Sequence, residues 1–242
     1  MASAETCRAS MKAFLLAAGL GTRLGVLTRD TPKCLLPIAG KPLLQHWFDT
    51  LACAGVTDVL LNLHHHADKV RNYVAHSGTT LNVELFYESQ LLGSAGTIRD
   101  AWEFVGDSES FFIVYADNFA KVDIRRLAQF HQAQGQPILT VLAYPTDEPQ
   151  RCGILELDDT QRVVSFEEKP LKPRSNFANA GIHIAGCRLR EFLPDRTPAD
   201  LGFHVLPRLV GRMYGYITDE YIQDIGTPEA YAKACRFAET NG

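Results

Sequence analysis

A glycine-rich segment near the start of the chain, FLLAAGLGTRLGVLTRDTPKCLLPIAGKP (residues 14–42), has the composition of an anion-binding loop. A strand-like apolar run is followed by Gly19 and Gly21 and then by the cations Arg23 and Lys33. Glycines let backbone N–H groups approach a phosphate, and the N-terminus of a following helix adds partial positive charge. The segment therefore predicts a phosphate-binding loop. A tight turn with two ordinary surface cations is the alternative interpretation.

Two familiar nucleotide-binding patterns are missing from this segment. The P-loop pattern GxxxxGK[ST] does not occur in it. The dinucleotide fingerprint GxGxxG also fails, because position 24 is Leu and the third glycine, Gly25, comes one residue late. The second predicted strand ends in LLNLHHH and offers no acid to hold a ribose. A P-loop enzyme and an NAD-dependent dehydrogenase are both disfavoured.

Strands and helices must alternate to position this loop. We predict strands at 12–17, 56–63, 81–87, 110–118 and 137–144, and helices at 42–54, 67–76, 93–105 and 124–134. After residue 150 we predict a hairpin around Asp158-Asp159, a short strand at 178–186, a helix at 198–213, strand-like residues at 214–226 and a helix at 228–240. The first set of strands is apolar on both faces, which is typical of a parallel sheet covered by helices.

Composition limits the class of protein. The chain has 242 residues and a net charge of −4, and Lys and Arg form no runs, so we expect no nucleic-acid partner. No apolar run approaches the ~20 residues that span a bilayer, so we expect no membrane association. Six cysteines without a CxxC pair indicate reduced thiols. We expect a cytoplasmic domain, preceded by a flexible leader at residues 1–10.

The chain resembles the sugar nucleotidylyltransferases, which join a sugar 1-phosphate to a nucleoside triphosphate and release pyrophosphate. The resemblance extends through LAAGLGTRLGVLTRDTPKCLLPIAGKP, LLGSAGTI, YADN, FEEKP, NAG and QDIGTPEAY, in that order, over residues 11–242. The family usually has Arg-Pro where Gly25-Val26 stands, often proline at Cys34 and often glycine at Ala116, so one cation is missing from this loop.

The resemblance implies an α/β fold of the Rossmann-like (GT-A-like) kind. Its central sheet would be mixed, mainly parallel and flanked by helices, with a small β-rich lobe that binds the sugar. We expect a single nucleotidyltransferase domain over residues 11–242, with a nucleotide-binding half at 11–145 and a sugar-phosphate-binding half at 146–242. The oligomeric state would be a monomer or a homodimer.

The implied reaction is an in-line attack of a phosphate oxygen on the α-phosphorus of the nucleotide. Such catalysis is mostly positioning and charge neutralisation. Arg23 and Lys33 would bind the leaving pyrophosphate, and Asp117 and Asp224 would hold Mg²⁺. Lys169 would bind the sugar phosphate. Further nucleotide contacts are expected at Leu16, Ala17, Ala18, Gly19, Gly21, Thr22, Glu88, Gly93, Ser94 and Ala95, and sugar contacts at Asn118, Gly153, Glu167, Asn179 and Gly181.

The base is expected to be guanine, and GTP is favoured over dTTP, UTP and CTP. Guanine presents two donors on one edge, which the Glu88 carboxylate could accept. The loop LGSAG is similar to the LGTAG of guanylyltransferases that act on manno-configured sugars. GDP-mannose-type or GDP-manno-heptose-type products for a surface polysaccharide would fit.

Three alternatives remain open. One is a catalytically silent subunit that senses a nucleotide sugar, although Lys33, Asp117, Lys169 and Asp224 are all present. Another is transfer of a thymidylyl, uridylyl or cytidylyl group to glucose 1-phosphate, and a third is a non-sugar phosphate acceptor. A metal site at His64-His65-His66 is disfavoured, because adjacent residues on one backbone do not converge on one ion.

Overall fold

The computed structural model of the protein describes residues 11–241, so the predicted leader at 1–10 lies outside the described residues. The strands are β1 Met11–Leu16, β2 Pro37–Ile38, β3 Lys41–Pro42, β4 Val56–Leu63, β5 Asn82–Tyr87, β6 Ser110–Tyr115, β7 Asn118–Lys121, β8 Leu139–Pro145, β9 Gly153–Leu157, β10 Val163–Glu168, β11 Phe177–Gly186, β12 Met213–Ile217 and β13 Tyr221–Asp224. The α-helices are α1 Leu43–Cys53, α2 Ala67–His76, α3 Ser94–Asp100, α4 Ile124–Ala133 and α5 Pro228–Asn241.

A nine-stranded mixed sheet organises the described residues, with the order β10-β9-β11-β6-β1-β4-β5, and with β8 pairing with β11 and β12. β1 pairs in parallel with β4 and β6, and β4 pairs in parallel with β5. β9 and β10 form the predicted antiparallel hairpin. The prediction of a mixed, mainly parallel sheet flanked by helices is confirmed.

The sheet is buried on both faces because β1 supplies an apolar side chain to each face. Ala13 and Leu15 point into the cluster that contains Leu44 and Phe48 of α1. Phe14 alternates with them and packs on the other face, in the cluster formed with α3 and the segment after it. Strands covered on both faces read as continuous apolar runs, which is why these strands were predictable.

The predicted elements of the first half agree with the structure apart from their ends. β4 covers 56–63 and α2 covers 67–76, as predicted. The helix predicted over 93–105 is shorter, because α3 ends at Asp100 and a separate 3₁₀ turn follows at Trp102–Phe104. The strand predicted over 110–118 is divided by a turn between β6 and β7. Among residues 11–241, no helix is both long and apolar enough to cross a membrane.

β11 confirms the strand predicted over 178–186 and begins one residue earlier, at Phe177. It pairs in antiparallel orientation with β6 and β8. It therefore lies inside the sheet and separates β8 from β6. Its residues from Ala180 to Gly186 are buried throughout, which explains the apolar sequence.

The helix predicted over 198–213 is wrong. The structure has a single π-helical turn at Leu201–Val205, then a 3₁₀ turn at Leu206–Leu209, and β12 begins at Met213. Pro207 is the physical reason. Proline lacks the N–H that an α-helix would need there, and its ring clashes with the carbonyl of the preceding turn.

Candidate functional site

A cavity of about 440 Å³ opens at the carboxyl ends of β1, β4 and β6, where ligands bind in open α/β sheets. We call it the loop cavity, because the backbone of the glycine loop forms one wall. It is lined by Leu16, Ala17, Ala18, Gly19, Lys33, Cys34, Asn62, Glu88, Leu91, Gly93, Ser94, Thr97, Tyr115, Ala116, Asp117, Pro198 and Asp200.

The glycine loop continues in 3₁₀ turns over Thr22–Thr28 and not in an α-helix. Gly25 interrupts these turns with φ 58° and ψ −118°, a conformation that stops an α-helix from forming. Gly21 has φ 64°, and the Thr28 hydroxyl donates a hydrogen bond of 2.9 Å to its carbonyl. Our expectation of an α-helical N-terminus behind the loop is therefore wrong. Backbone N–H groups and side-chain cations are the donors that the loop offers to an anion.

Lys33 lies between the two carboxylates predicted to hold a metal. Its Nζ is 3.0 Å from Asp117 Oδ2 and 3.1 Å from Asp224 Oδ1. The Lys33 side chain is 7% exposed, whereas those of Asp117 and Asp224 are 45% and 53% exposed. A buried ammonium group needs charged partners, and these two carboxylates supply them. We call the three residues the lysine–aspartate cluster.

The pairing of two short strands builds this cluster. Asp117 occupies the turn between β6 and β7, and Asp224 is the last residue of β13. β13 pairs with β7 in antiparallel orientation, with Asp224 opposite Asn118. This register places both carboxylates beside Lys33, although Asp224 is 191 residues away in the sequence.

A second cavity, of about 680 Å³, lies next to Asp224. We call it the cation-lined cavity, because Arg23, Arg151, Lys169 and Lys233 contribute to its walls. Arg23 Nη2 lies 3.9 Å from Asp224 Oδ2. Since Lys33 and Asp117 line the loop cavity and Asp224 lines the cation-lined cavity, the two cavities meet at the lysine–aspartate cluster.

Glu88 belongs to a buried polar network that sequence reasoning did not foresee. Its Oε1 accepts hydrogen bonds from Asn62 Nδ2 at 2.8 Å and from the Thr97 hydroxyl at 2.5 Å. Its Oε2 accepts the Leu92 N–H at 3.0 Å. Asn62 Oδ1 in turn accepts the Ala17 N–H of the glycine loop at 2.6 Å. The signal for Asn62 was one polar residue inside the apolar run VLLNL.

The LGSAG loop is positioned by the segment before the π-helical turn. Gly93 has φ 77°, and a Cβ there would collide with the backbone of Ala199. The Ala95 N–H donates to the Ala199 carbonyl at 2.9 Å, so Ala95 is buried and does not line the loop cavity. Ser94 lines the cavity and donates from its hydroxyl to Asp200 Oδ2 at 3.1 Å. Asp200 is another residue that the sequence analysis missed.

The predicted Glu167 and its neighbour Glu168 have different surroundings. Glu167 is exposed on the opposite face of β10. A Cβ on Gly153 would lie 2.6 Å from Glu168 Oε2, and a Cβ on Gly202 would lie 2.5 Å from it. Burial raises the pKa of Glu168, and the charge of Asp200 raises it further, while Lys169 opposes the rise. The two adjacent glutamates in FEEKP could not be told apart from sequence.

Lys169 is held in an unusual backbone conformation. It has φ 52°, and its N–H donates to the Cys152 carbonyl at 2.9 Å. Its ammonium group lies 5.9 Å from the centroid of the Phe203 ring, within the range of a cation–π contact. The side chain is thereby aimed at the cation-lined cavity.

The remaining predicted sugar contacts form one turn beside Tyr115. Asn118 Nδ2 donates to the Ala180 carbonyl at 2.8 Å. Asn179 Oδ1 accepts the Gly181 N–H at 2.9 Å and contacts His183 Nε2 at 3.0 Å. Gly181 has φ 69°, and a Cβ there would lie 3.0 Å from Asn118 Nδ2. These side chains therefore stabilise the backbone of β11 where it leaves its register with β8.

Two features that we disfavoured as functional also have structural partners. His64 Nδ1 contacts the Glu88 carbonyl at 2.8 Å, and His66 Nε2 contacts the Arg29 carbonyl at 3.0 Å. The histidines thus point to different partners, and within residues 11–241 no group of three or more His, Cys, Asp or Glu side chains could hold a metal ion. Burial raises the pKa of Cys34 to about 12, so this thiol is protonated and packs as an apolar side chain.

Known proteins share this fold and this sequence pattern. The chain is 28% identical over 233 residues to mannose-1-phosphate guanylyltransferase 1 of Arabidopsis thaliana, covering 93% of this chain and 64% of the relative. It therefore spans less than two thirds of that relative. HddC from Yersinia pseudotuberculosis, in a crystal structure complexed with GMP-PN, is 28% identical with a TM-score of 0.78, and the match covers 94% of this chain and 99% of HddC.

A further solved structure shares the fold alone. It comes from Bacillus anthracis, is assigned as a glucose-1-phosphate thymidylyltransferase and is in complex with a sucrose. It is 23% identical with a TM-score of 0.85, and the match covers 96% of this chain and 97% of that one. The sequence profile of the nucleotidyl transferase family matches residues 12–241. The chain belongs to the nucleotidyl transferase family, as the sequence motifs and the site geometry indicated.

Proposed function

We propose that this chain transfers a nucleotidyl group from a nucleoside triphosphate to a sugar 1-phosphate and releases pyrophosphate. The observation that carries the proposal is the lysine–aspartate cluster at the junction of two cavities. A reaction between two phosphate-bearing substrates needs adjacent cavities with cationic groups where they meet. GTP is the favoured nucleotide, and a mannose-type or manno-heptose-type 1-phosphate is the favoured acceptor.

The relatives support this choice of substrates. The Arabidopsis relative is named for guanylyl transfer to mannose 1-phosphate, and HddC was crystallised with GMP-PN. Glu88 lines the loop cavity, and protein donors use three of the roughly four acceptor positions of a carboxylate. About one position is left, which is consistent with the proposed contact to a guanine N–H.

Charge neutralisation is the main task of the side chains in the proposed reaction. An oxygen of the sugar phosphate forms a bond to the α-phosphorus, and the bond from that phosphorus to the leaving pyrophosphate breaks. Arg23 and Lys33 would neutralise the pyrophosphate, and Lys169 would bind the incoming phosphate across the cation-lined cavity. The sugar phosphate is itself the nucleophile, so no side chain needs to form a covalent intermediate.

The donor set of the cluster fits a divalent cation. Mg²⁺ in nucleotide sites takes one or two carboxylates, with substrate phosphates and water completing its shell. Asp117 and Asp224 offer two half-exposed carboxylates at the place where the cavities meet. We propose that these two residues hold Mg²⁺, which when bound would stabilise negative charge on the reacting phosphates.

Pyrophosphate release across a substrate grid tests the proposed function. GTP, ATP, UTP, dTTP and CTP would each be combined with mannose, glucose and manno-heptose 1-phosphates, with and without Mg²⁺. We expect a signal in the GTP row that requires Mg²⁺, with the highest rate for a manno-configured sugar. A signal in another row would retain the reaction and refute the guanine assignment. If no combination releases pyrophosphate and the protein still binds nucleotide, sugar nucleotidyl transfer is refuted.

A further inference from the structure

The ammonium group of Lys33 occupies the position at which Asp117 and Asp224 converge. It lies within 3.1 Å of one oxygen from each carboxylate. Asp224 Oδ1 also accepts the Gly226 N–H at 2.8 Å, which fixes that oxygen toward Lys33. The same two carboxylates are the ones that the proposed function assigns to a metal.

A divalent cation bound between these two carboxylates would lie at short range from the Lys33 ammonium group. Each needs direct contact with the same negative charges, and the two cations repel each other at such distances. The Lys33 side chain is buried and the carboxylates are half exposed, so the lysine is the more enclosed partner. Displacement of Lys33 therefore requires a second anion to receive its charge.

The loop cavity provides a place for that anion. Lys33 lines this cavity together with the backbone of Ala17, Ala18 and Gly19, at the end of β1. Its four-carbon side chain has the rotational freedom to redirect the ammonium group. A nucleoside triphosphate in the cavity would bring several negative charges to this wall.

We propose that Lys33 prevents a divalent metal ion from binding to Asp117 and Asp224 until a nucleoside triphosphate binds and attracts the lysine to its phosphates. We call this the placeholder role of Lys33. The metal and the nucleotide then bind with positive coupling, because each removes an obstacle to the other. This inference rests on the proposed function, since it takes the metal ligands from it. It adds a role for Lys33 before any chemistry takes place.

Titration of Mn²⁺ alone into the protein, followed by electron paramagnetic resonance, tests the proposal. We expect weak binding to the wild-type chain and at least ~10-fold tighter binding to Lys33→Met, which removes the charge and keeps the length of the side chain. Lys33→Arg keeps a cation in place and should bind Mn²⁺ as weakly as wild type. Lys41→Met is the matched control, because Lys41 pairs with Asp49 on the exposed face of α1.

Equal Mn²⁺ affinity of Lys33→Met and wild type would overturn the placeholder role. A separate titration with GTP present distinguishes this failure from failure of the proposed function. If wild type then binds Mn²⁺ tightly and Asp117→Asn does not, the metal ligands are correct and only the placeholder role fails. If nucleotide creates no Mn²⁺ site in wild type, the metal assignment and the placeholder role both fail.

Discussion

Glu168 shows how one residue combines burial with charge in this site. Its carboxylate lies against Gly153 and Gly202, two positions where a side chain would collide with it. Burial raises its pKa, which means that the folded protein disfavours the ionised form. An ionisable side chain whose charged form is disfavoured by burial is typical of a functional site. Glu168 is the neighbour in sequence of Lys169, the residue that we propose binds the sugar phosphate.

Glu168→Gln should stabilise the fold near neutral pH. The folded pKa is raised above the unfolded value, so ionisation costs stability once the pH rises past the unfolded pKa of about 4.3. The variant removes this cost, and we expect its Tm to exceed that of wild type by a few degrees at pH 7.5. The advantage should vanish at about pH 3 and below, where the wild-type carboxyl is protonated in both states.

Thermal unfolding of both proteins at the two pH values checks this prediction. Glu167→Gln is the control, because Glu167 is the residue before Glu168 in β10 and is exposed. It should leave the Tm unchanged at both pH values. An equal Tm for Glu168→Gln and wild type at pH 7.5 would contradict the account of its burial.

The elements that matter most for the site are short and are set by long-range contacts. β7 and β13 together have eight residues, and their pairing alone brings Asp224 to Asp117. The start of α3 depends in the same way on the backbone of Ala199, which accepts the N–H groups of Ala95 and Gly96. Displacing either contact should disturb the site while leaving the large sheet intact.

Gly93→Ala tests the contact between α3 and Ala199. Gly78→Ala is the matched control, because Gly78 also has a positive φ, 65°, but nothing lies within 4 Å of its added Cβ. Gly78→Ala carries the cost of an alanine at positive φ, roughly 1 kcal/mol. Gly93 has φ 77° and ψ 161°, a combination that is essentially restricted to glycine. We expect Gly93→Ala to lose at least ~2 kcal/mol more, because its Cβ collides with backbone.

Urea unfolding measures both free energies. The Gly93→Ala protein should also bind GTP more weakly, since Gly93 lines the loop cavity. Equal losses for the two variants would show that the close approach to Ala199 contributes nothing to stability.

The elements that could be predicted from sequence are those whose pattern is local. The parallel strands are buried on both faces and read as apolar runs, so β1, β4 and β6 were found. The cluster residues Lys33, Asp117 and Asp224 were found through motifs, and the fold brings them together. The Asn62–Glu88 network, the position of Asp200 and the burial of Glu168 depend on contacts across the chain, so no local pattern could reveal them. The helix predicted over 198–213 failed because Pro207 interrupts the segment.

At the scale of the whole molecule, one sheet carries two cavities that meet at three side chains. The loop cavity lies over the carboxyl ends of the parallel strands, and the cation-lined cavity lies beside the β7–β13 pair. Arg23 and Lys169 are far apart in the sequence and line the same cavity. This arrangement would bring two anionic substrates to a single point, which is what nucleotidyl transfer requires.

Single-turnover formation of the nucleotide sugar by Asp117→Asn is the most direct test of this arrangement. The variant removes one carboxylate charge from the lysine–aspartate cluster while keeping the shape of the side chain. Asp49→Asn is the control, because Asp49 lies on α1, is half exposed and pairs with Lys41. With the best substrate pair from the grid, we predict at least a ~100-fold lower rate for Asp117→Asn, about 3 kcal/mol in the barrier, in a protein that still unfolds in one cooperative thermal transition. Asp49→Asn should stay within about 2-fold of wild type, given the small worth of exposed ion pairs. A rate for Asp117→Asn as close to wild type as that of the control would show that the chemistry takes place elsewhere.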